Sequence, residues 1–259
     1  MQPWVVKYGG SALAAGGDEV LAEIAALHRD GQGVVLVHGG GPEIDAALRQ
    51  RGIVTERVGG HRVTDAATLE TVEAVLCGTI NKRLVRALLA LGASAVGMSG
   101  QDGATLIAER MRGEGGADLG YVGQIVDCDA TLVRGLLDAR SLPVVAPLAI
   151  SRDGTHAYNV NADLAAAAIA SALKASAFVL VTNVPRVLRN PDDPSSGIDR
   201  MTLAQARDFA ASEACRSSMK PKVLAAVSAL EGGVARAYIC SASPSTIASA
   251  LAGNATVVA

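Results

Sequence analysis

Aromatic residues are scarce in this sequence: one Trp, four Tyr and two Phe, 3% of 259 residues. Half of the residues are nevertheless hydrophobic, so any core must be built from Ala, Val, Leu and Ile. Proline is sparse at nine residues, whereas 28 glycines suit tight turns and close backbone approaches rather than disorder. The four cysteines, Cys77, Cys128, Cys215 and Cys240, form no C-x-x-C pair and have no histidine at ligand spacing. That excludes a disulfide framework and a zinc site. No apolar run reaches membrane-spanning length, and the N-terminus lacks a basic stretch followed by an apolar segment and a cleavage site. Lys plus Arg number 23 and Asp plus Glu 25, a net charge of −2, which argues against broad nucleic-acid binding. A cytoplasmic globule of one large domain or two closely packed lobes is expected. Any anionic ligand must be met by a few well-placed cations.

Three familiar phosphate and nucleophile signatures are also missing. There is no Gly-Lys dipeptide, hence no P-loop. No G-x-G-x-x-G follows either early strand, and the second closes on His38 rather than an acidic residue for a ribose. Gly97-Met98-Ser99-Gly100-Gln101 misses the nucleophile elbow at its last position. The Asn254-Ala255-Thr256 sequon has no consequence in a chain with no secretion signal. His28 and His156 read as surface or packing residues.

What is present alternates. Residues 4–8 read as a strand ending in a glycine turn, 18–30 as a helix closed by Gly31, and 34–37 as a strand buried on both faces. Helices are expected over 42–51, from Thr64 or Asp65 to about 90, over 130–140, 162–174 and 221–231, and from Ser245 to 252. Strands are expected over 93–98, 144–146, 178–182 and 237–240, with a hairpin in 53–63 and antiparallel excursions at 105–108 and 123–126; Thr256-Val257-Val258 follows the last helix. Thr202 and Gln205 make a capping box. The class is α/β with a mainly parallel sheet, and the lobes would meet near Ala175.

Two glycine turns then stand at the ends of adjacent strands, Lys7-Tyr8-Gly9-Gly10-Ser11 and His38-Gly39-Gly40-Gly41-Pro42. Ligands of parallel sheets bind beyond the carboxyl ends of strands, and a helix starting at Pro42 adds its positive end there. Two such turns with a lysine on the first point to an anion site. Lys7, ending an apolar run, either meets an anion or snorkels to the surface. Asn159-Val160-Asn161-Ala162-Asp163 opens a helix and can be capping. Lys222 sits in the first turn of its helix, where a cation is mildly unfavourable unless an anion is near or the side chain is solvated.

These stretches, taken in order with Gly60-His61-Arg62-Val63-Thr64-Asp65, Asn81-Lys82 and Met219-Lys220-Pro221-Lys222-Val223, resemble the amino acid kinase family over nearly the whole chain. The resemblance implies a three-layer αβα sandwich with a mainly parallel open sheet. Residues 1–175 would form the N-terminal lobe, binding the acyl substrate and dimerising; 176–259 would form the C-terminal lobe, binding ATP. The implied reaction is ATP-dependent phosphorylation of the side-chain carboxylate of N-acetyl-L-glutamate in arginine biosynthesis. Lys7 and Lys222 would flank the transferring phosphoryl group, with Asp163 between them orienting both. Gly40 and Gly41 would donate N–H groups to substrate and phosphate, with Gly9 and Gly10 on the ATP side. Arg62 and Asn159 would bind the substrate's carboxylate and acetamido groups. Thr182, Asn183, Val184, Pro185, Val187, Leu188 and Met219 would lie by the nucleotide, whose phosphates would hold Mg²⁺ with no metal ligands from the protein.

The chemistry agrees with the composition. A carboxylate, with a reference pKa of about 4.3, arrives ionised and needs no general base. Tyr8, Ser11, His61 and the Ser217-Ser218 pair depart from the family's usual residues. The resemblance leaves open a carrier-bound aminoadipate or glutamate as acceptor, a non-catalytic nucleotide or amino-acid sensor, and a nitrogen-signalling partner. A strand starting near residue 3 is expected to give a homodimer with weak or absent arginine feedback.

Overall fold

The computed structural model describes residues 2–10, 18–215, 219–242 and 246–259. Ser11, the Ser217-Ser218 pair and the helix start expected at Ser245 lie outside them. The first half of the chain supplies β1 (Trp4–Tyr8), α1 (Asp18–Arg29), β2 (Val34–His38), α2 (Gly41–Gln50), β3 (Arg57–Val58) and β4 (His61–Arg62). It continues through α3 (Ala66–Glu73), a π-helical segment Ala74–Ile80, α4 (Asn81–Ala90), β5 (Ala95–Ser99), β6 (Leu106–Arg112) and β7 (Asp118–Cys128). Then come α5 (Thr131–Asp138), β8 (Leu142–Ala146), β9 (Leu148–Ile150), β10 (Ala157–Asn159), α6 (Ala162–Leu173) and β11 (Ala177–Thr182). The remainder is β12 (Val187–Leu188), β13 (Gly197–Ile198), β14 (Arg200–Met201), α7 (Leu203–Ala211), α8 (Lys220–Glu231), β15 (Ala237–Ser241), α9 (Thr246–Leu251) and β16 (Thr256–Val258).

Among the described residues the main sheet has eight strands in the order β14-β16-β15-β11-β1-β2-β8-β5. Neighbours are parallel except β15 and β16. β2, β8 and β11 are buried along their whole lengths, as strands covered on both faces must be. Side chains alternate between two cores. Val5, Val35 and Val37 pack with the alanines of α6 and the apolar face of α8. Val6, Tyr8, Val34 and Leu36 pack with α1, α2, the π-helical segment and α4 on the other side. That is the three-layer sandwich.

The scarcity of aromatics has a structural counterpart. Ala165, Ala166, Ala167 and Ala170 are buried on α6, and small side chains let a second helix come close. At the far end of α8 the approach is closer still: a Cβ on Gly232 would lie 2.1 Å from Ser171 Oγ. This contact sets where the first turn of α8, which carries Lys222, meets the first turn of α6.

Several expectations are met only in part. The helix expected from Thr64 or Asp65 does start on Asp65, whose carboxylate accepts the Thr68 N–H at 2.8 Å, but seven of its residues are π-helical. The hairpin of 53–63 contracts to two-residue strands joined by Gly59-Gly60, both at positive φ, the backbone of a tight primed turn. The antiparallel excursions are longer than expected, and β6 and β7 close with β9 and β10 into a small four-stranded barrel. β9 and β10, three residues each, are too short to show an alternation in sequence.

Candidate active site

β1 and β2 run in register, Lys7 opposite Val37 and Tyr8 opposite His38, so their glycine turns emerge together. A Cβ on Gly10 would lie 2.9 Å from Gly40 N and 3.0 Å from Gly41 N. The two turns thus touch backbone to backbone, an approach that excludes any side chain at Gly10. α2 begins at Gly41 with proline in its first turn, and the unpaired N–H groups of that turn face the same hollow.

The opposite wall is the start of α6. Asn161 caps it: its Oδ1 accepts from the N–H groups of Asp163 at 2.8 Å and Leu164 at 3.2 Å. The cap turns the Asp163 carboxylate back toward the sheet. Lys7 Nζ stands 2.7 Å from Asp163 Oδ1, and Lys222 Nζ, from the first turn of α8, stands 3.4 Å from Oδ2. The side chains of Lys7, Asp163 and Lys222 are 7%, 6% and 18% exposed. Lys7 therefore does not snorkel, and the lysine at the helix start has its anion.

Burial by itself would push the Asp163 carboxyl up; the Lys7 and Lys222 ammonium groups outweigh that and hold it below the usual carboxylate range. A carboxyl with a folded pKa below its unfolded value stabilises the protein above the unfolded pKa, and that stability disappears as pH falls through the folded one. The unfolded reference is about 3.9, so the contribution is intact at neutral pH and lost only in strong acid. We expect Asp163→Asn, which sets two ammonium groups against a neutral amide, to cost roughly 3–5 kcal/mol near pH 7. In urea unfolding of both proteins across a pH series, the gap should hold down to about pH 5 and close below about pH 4. Closure between neutral pH and pH 5 would mean a carboxyl displaced upward instead.

Arg62 projects from β4. Its guanidinium pairs with Asp45 of α2 and donates to Thr55 Oγ1 at 3.3 Å. Asp45 also takes Arg57 at 3.3 Å, and these two cations hold its carboxyl low despite the raising effect of burial. Asn159 donates to Thr64 Oγ1 at 3.4 Å, and that hydroxyl donates to the Arg62 carbonyl at 2.8 Å. A cleft of about 380 Å³ joins these groups. Lys7, Asp163, Lys222, Arg62 and Asn159 line it with Gly9, Gly10, Gly40 and Gly41, and Thr182 and Asn183 close its C-terminal side.

The rest of the expected nucleotide loop lies elsewhere. The Val187 side chain is fully buried in the core and its N–H donates to Thr256 Oγ1 at 2.8 Å, so it can offer a ligand no side-chain contact. Val184 is half-buried. Pro185 and Leu188 line a separate cavity of about 530 Å³ with Arg186 and Asn254. Met219 packs against the core at the start of α8, its carbonyl accepting the Lys222 N–H at 3.0 Å. Tyr8 is fully buried, whereas His61 lines the cleft. Asp45 carries no motif that singles it out in sequence and reads as one polar position of an amphipathic helix, whereas Thr64 falls in the Gly60–Asp65 stretch but reads there as a cap.

A family model described as "Amino acid kinase family" matches residues 2–241. The chain belongs to the amino acid kinase family. Acetylglutamate kinase from Brevibacillus brevis is 41% identical over 252 residues, 97% of this chain and 94% of that one. Acetylglutamate kinase from Methanopyrus kandleri is 44% identical over 239 residues, 91% and 93% of the two chains. Among solved structures, N-acetylglutamate synthase from Neisseria gonorrhoeae, complexed with coenzyme A and N-acetyl-glutamate, superimposes with a TM-score of 0.84 at 27% identity. The match covers all of this chain and 59% of the synthase. Giardia carbamate kinase, at 19% identity and a TM-score of 0.74 over 99% and 98% of the chains, shares the fold of this amino acid kinase.

Proposed function

We propose that this chain transfers the γ-phosphoryl group of ATP to the side-chain carboxylate of N-acetyl-L-glutamate, yielding an acyl phosphate and ADP in amino-acid biosynthesis. The carrying observation is the Asp163 carboxylate bridging two buried lysines at the head of a glycine-lined cleft. Relatives named for this reaction at 41–44% identity support the acceptor, as does the synthase complexed with the same acid. Neither the carrier-bound acids nor a sensor role is favoured by these relatives.

The chemistry follows from charge. One carboxylate oxygen attacks the γ-phosphorus, the bond to the β,γ-bridging oxygen breaks, and ADP leaves with that electron pair. Both partners are anions, so the protein's task is positioning and charge stabilisation. In this reading Lys7 and Lys222 sit against the transferring group and Asp163 fixes their separation. Gly40 and Gly41 offer N–H groups to its oxygens, Gly9 and Gly10 to the donor side. Arg62 and Asn159 face the acceptor's carboxylate and acetamido groups. Thr182 and Asn183 face the nucleotide, with Val184, Pro185, Leu188, Met219 and the backbone of Val187 beyond them. Mg²⁺ enters as the partner of ATP. Among the described residues no group of three or more His, Cys, Asp or Glu could hold a metal, and Asp163 is already engaged by both lysines; a cation carried by the phosphates suits this donor set.

The division at 1–175 and 176–259 is proposed on the same grounds. Arg62 and Asn159 approach the cleft from the first part, Thr182, Asn183 and Lys222 from the second. β5 is one end of the main sheet, and an end strand is a place where a second copy can pack. We therefore propose a homodimer, to be checked by light scattering, and a cytoplasmic setting with free access to ATP. No helix among the described residues is long and apolar enough to cross a membrane.

The test is acyl-phosphate trapping. With MgATP and hydroxylamine, N-acetyl-L-glutamate should give a hydroxamate, while glutamate, aspartate and aminoadipate derivatives should give little. Equal yields from a carrier-bound acid, or no ATP-dependent product from any, would overturn the assignment.

A further inference from the structure

His38, fully buried, ends β2 directly beneath the Gly39-Gly40-Gly41 turn. Asn81, also buried, opens α4 where the π-helical segment ends. Its Nδ2 lies 2.8 Å from the Val144 carbonyl, 3.2 Å from the Met98 carbonyl and 3.3 Å from His38 Nε2. Two backbone carbonyls at one end of an amide identify that end as the NH₂ group. His38 Nε2 therefore faces an amide nitrogen that offers no acceptor, so a proton there would have no partner. The ring proton then belongs on Nδ1, which stands 3.1 Å from the Gly39 carbonyl. The ring is neutral: burial pushes its pKa down to about 4, with the nearby Arg83 adding to that and the Gly39 hydrogen bond opposing it.

The Gly39 carbonyl and the Gly40 N–H belong to one trans peptide plane and point in opposite directions. A hydrogen bond that draws the carbonyl inward turns the N–H outward. Among the described residues the Gly40 N–H has no protein acceptor, and Gly40 lines the cleft. The π-helical segment sets the other side: a Cβ on Gly40 would meet Ile80 Cδ1 at 2.3 Å, so the turn is seated on the residue preceding Asn81.

We infer that Asn81 and His38 are a positioning pair, Asn81 fixing the Nδ1–H tautomer of His38 and that N–H aiming the Gly40 peptide donor at the phosphoryl group. Neither residue touches the reactants. The inference rests on the kinase reading for what is aimed at, but not for the tautomer. His38→Asn and His38→Gln separate the pair from ordinary core packing. The asparagine amide nitrogen falls near the position of Nδ1 and keeps a donor for Gly39; the glutamine amide falls near Nε2 and does not.

With the full chain, MgATP and N-acetyl-L-glutamate, His38→Gln should lose about tenfold or more in kcat with KM changed little, the pattern of an interaction realised in the transition state. His38→Asn should recover to within about threefold of the parent, although both variants lose similar thermal stability. Equal kcat in the two variants would overturn the inference. Long-range ¹H–¹⁵N correlation of the His38 ring in the parent protein should show protonated Nδ1 and bare Nε2. The opposite tautomer would overturn the inference whatever the acceptor proves to be, whereas a parent protein with this tautomer but no activity on N-acetyl-L-glutamate would sink only the kinase reading.

Discussion

Lys7→Ala should lower kcat by roughly 10²–10³-fold, the ~3–4 kcal/mol that loss of one preorganised donor costs where charge develops. Lys222→Ala should fall in the same range. The reason is the geometry of the triad, in which one carboxylate spaces two ammonium groups across the cleft. Cleavage of the β,γ-bridging bond moves negative charge from the acceptor side to the leaving group, so each lysine meets a charge that grows or shifts during the step. Removing one leaves Asp163 with the other as counter-ion, which is why the fold should survive where Asp163→Asn strains it. The closer and more deeply buried pair is Lys7 with Asp163, and Lys7→Ala should therefore cost more stability than Lys222→Ala. Hydroxamate assays for kcat, with thermal unfolding of each variant, separate the two effects. Near-normal turnover in either variant would remove that lysine from the reaction.

Much of this site could be read from sequence because the chemistry leaves marks along the chain. Paired glycine turns after two buried strands announce a backbone-lined hollow, and a lysine closing an apolar run announces a buried anion. Asn159-Val160-Asn161-Ala162-Asp163 announces a capped helix start, but pattern alone could not divide its labour: Asn161 caps while Asn159 reaches toward Thr64. What escaped were contacts between residues far apart in sequence, each ordinary by itself. Asp45 on Arg62 and Asn81 on His38 are of this kind. The π-helical segment escaped for another reason. Its residues, Ala74–Ile80, keep an apolar spacing that suits an α-helix equally well, and the tighter or wider winding is decided by what they pack against. At Val187 the family resemblance marks a nucleotide loop, while the β-branched side chain lies in the core, which leaves its backbone alone to face a ligand.

Gly10→Ala tests the turn contact without removing any charge. Its Cβ would lie 2.9 Å from Gly40 N and 3.0 Å from Gly41 N, and a backbone atom cannot swing aside as a side-chain end can. The two turns must separate by several tenths of an ångström, which displaces the peptide donors from Lys7 and Asp163. Overpacking of this kind costs about 1–3 kcal/mol, and a misplacement approaching 1 Å near a reacting centre costs about 10²-fold in rate. We therefore expect Gly10→Ala to lose roughly two orders of magnitude in kcat together with a lower Tm. Gly41→Ala is the contrast. Among the described residues nothing lies within 4 Å of a Cβ there, and Gly41 lines the cleft, so its methyl group enters ligand space rather than the packed turn contact. Its Tm should stay at the parent value while KM rises. If instead both variants keep the parent Tm and kcat, the turns do not need their close contact, and the donors must be held by something other than glycine packed on glycine.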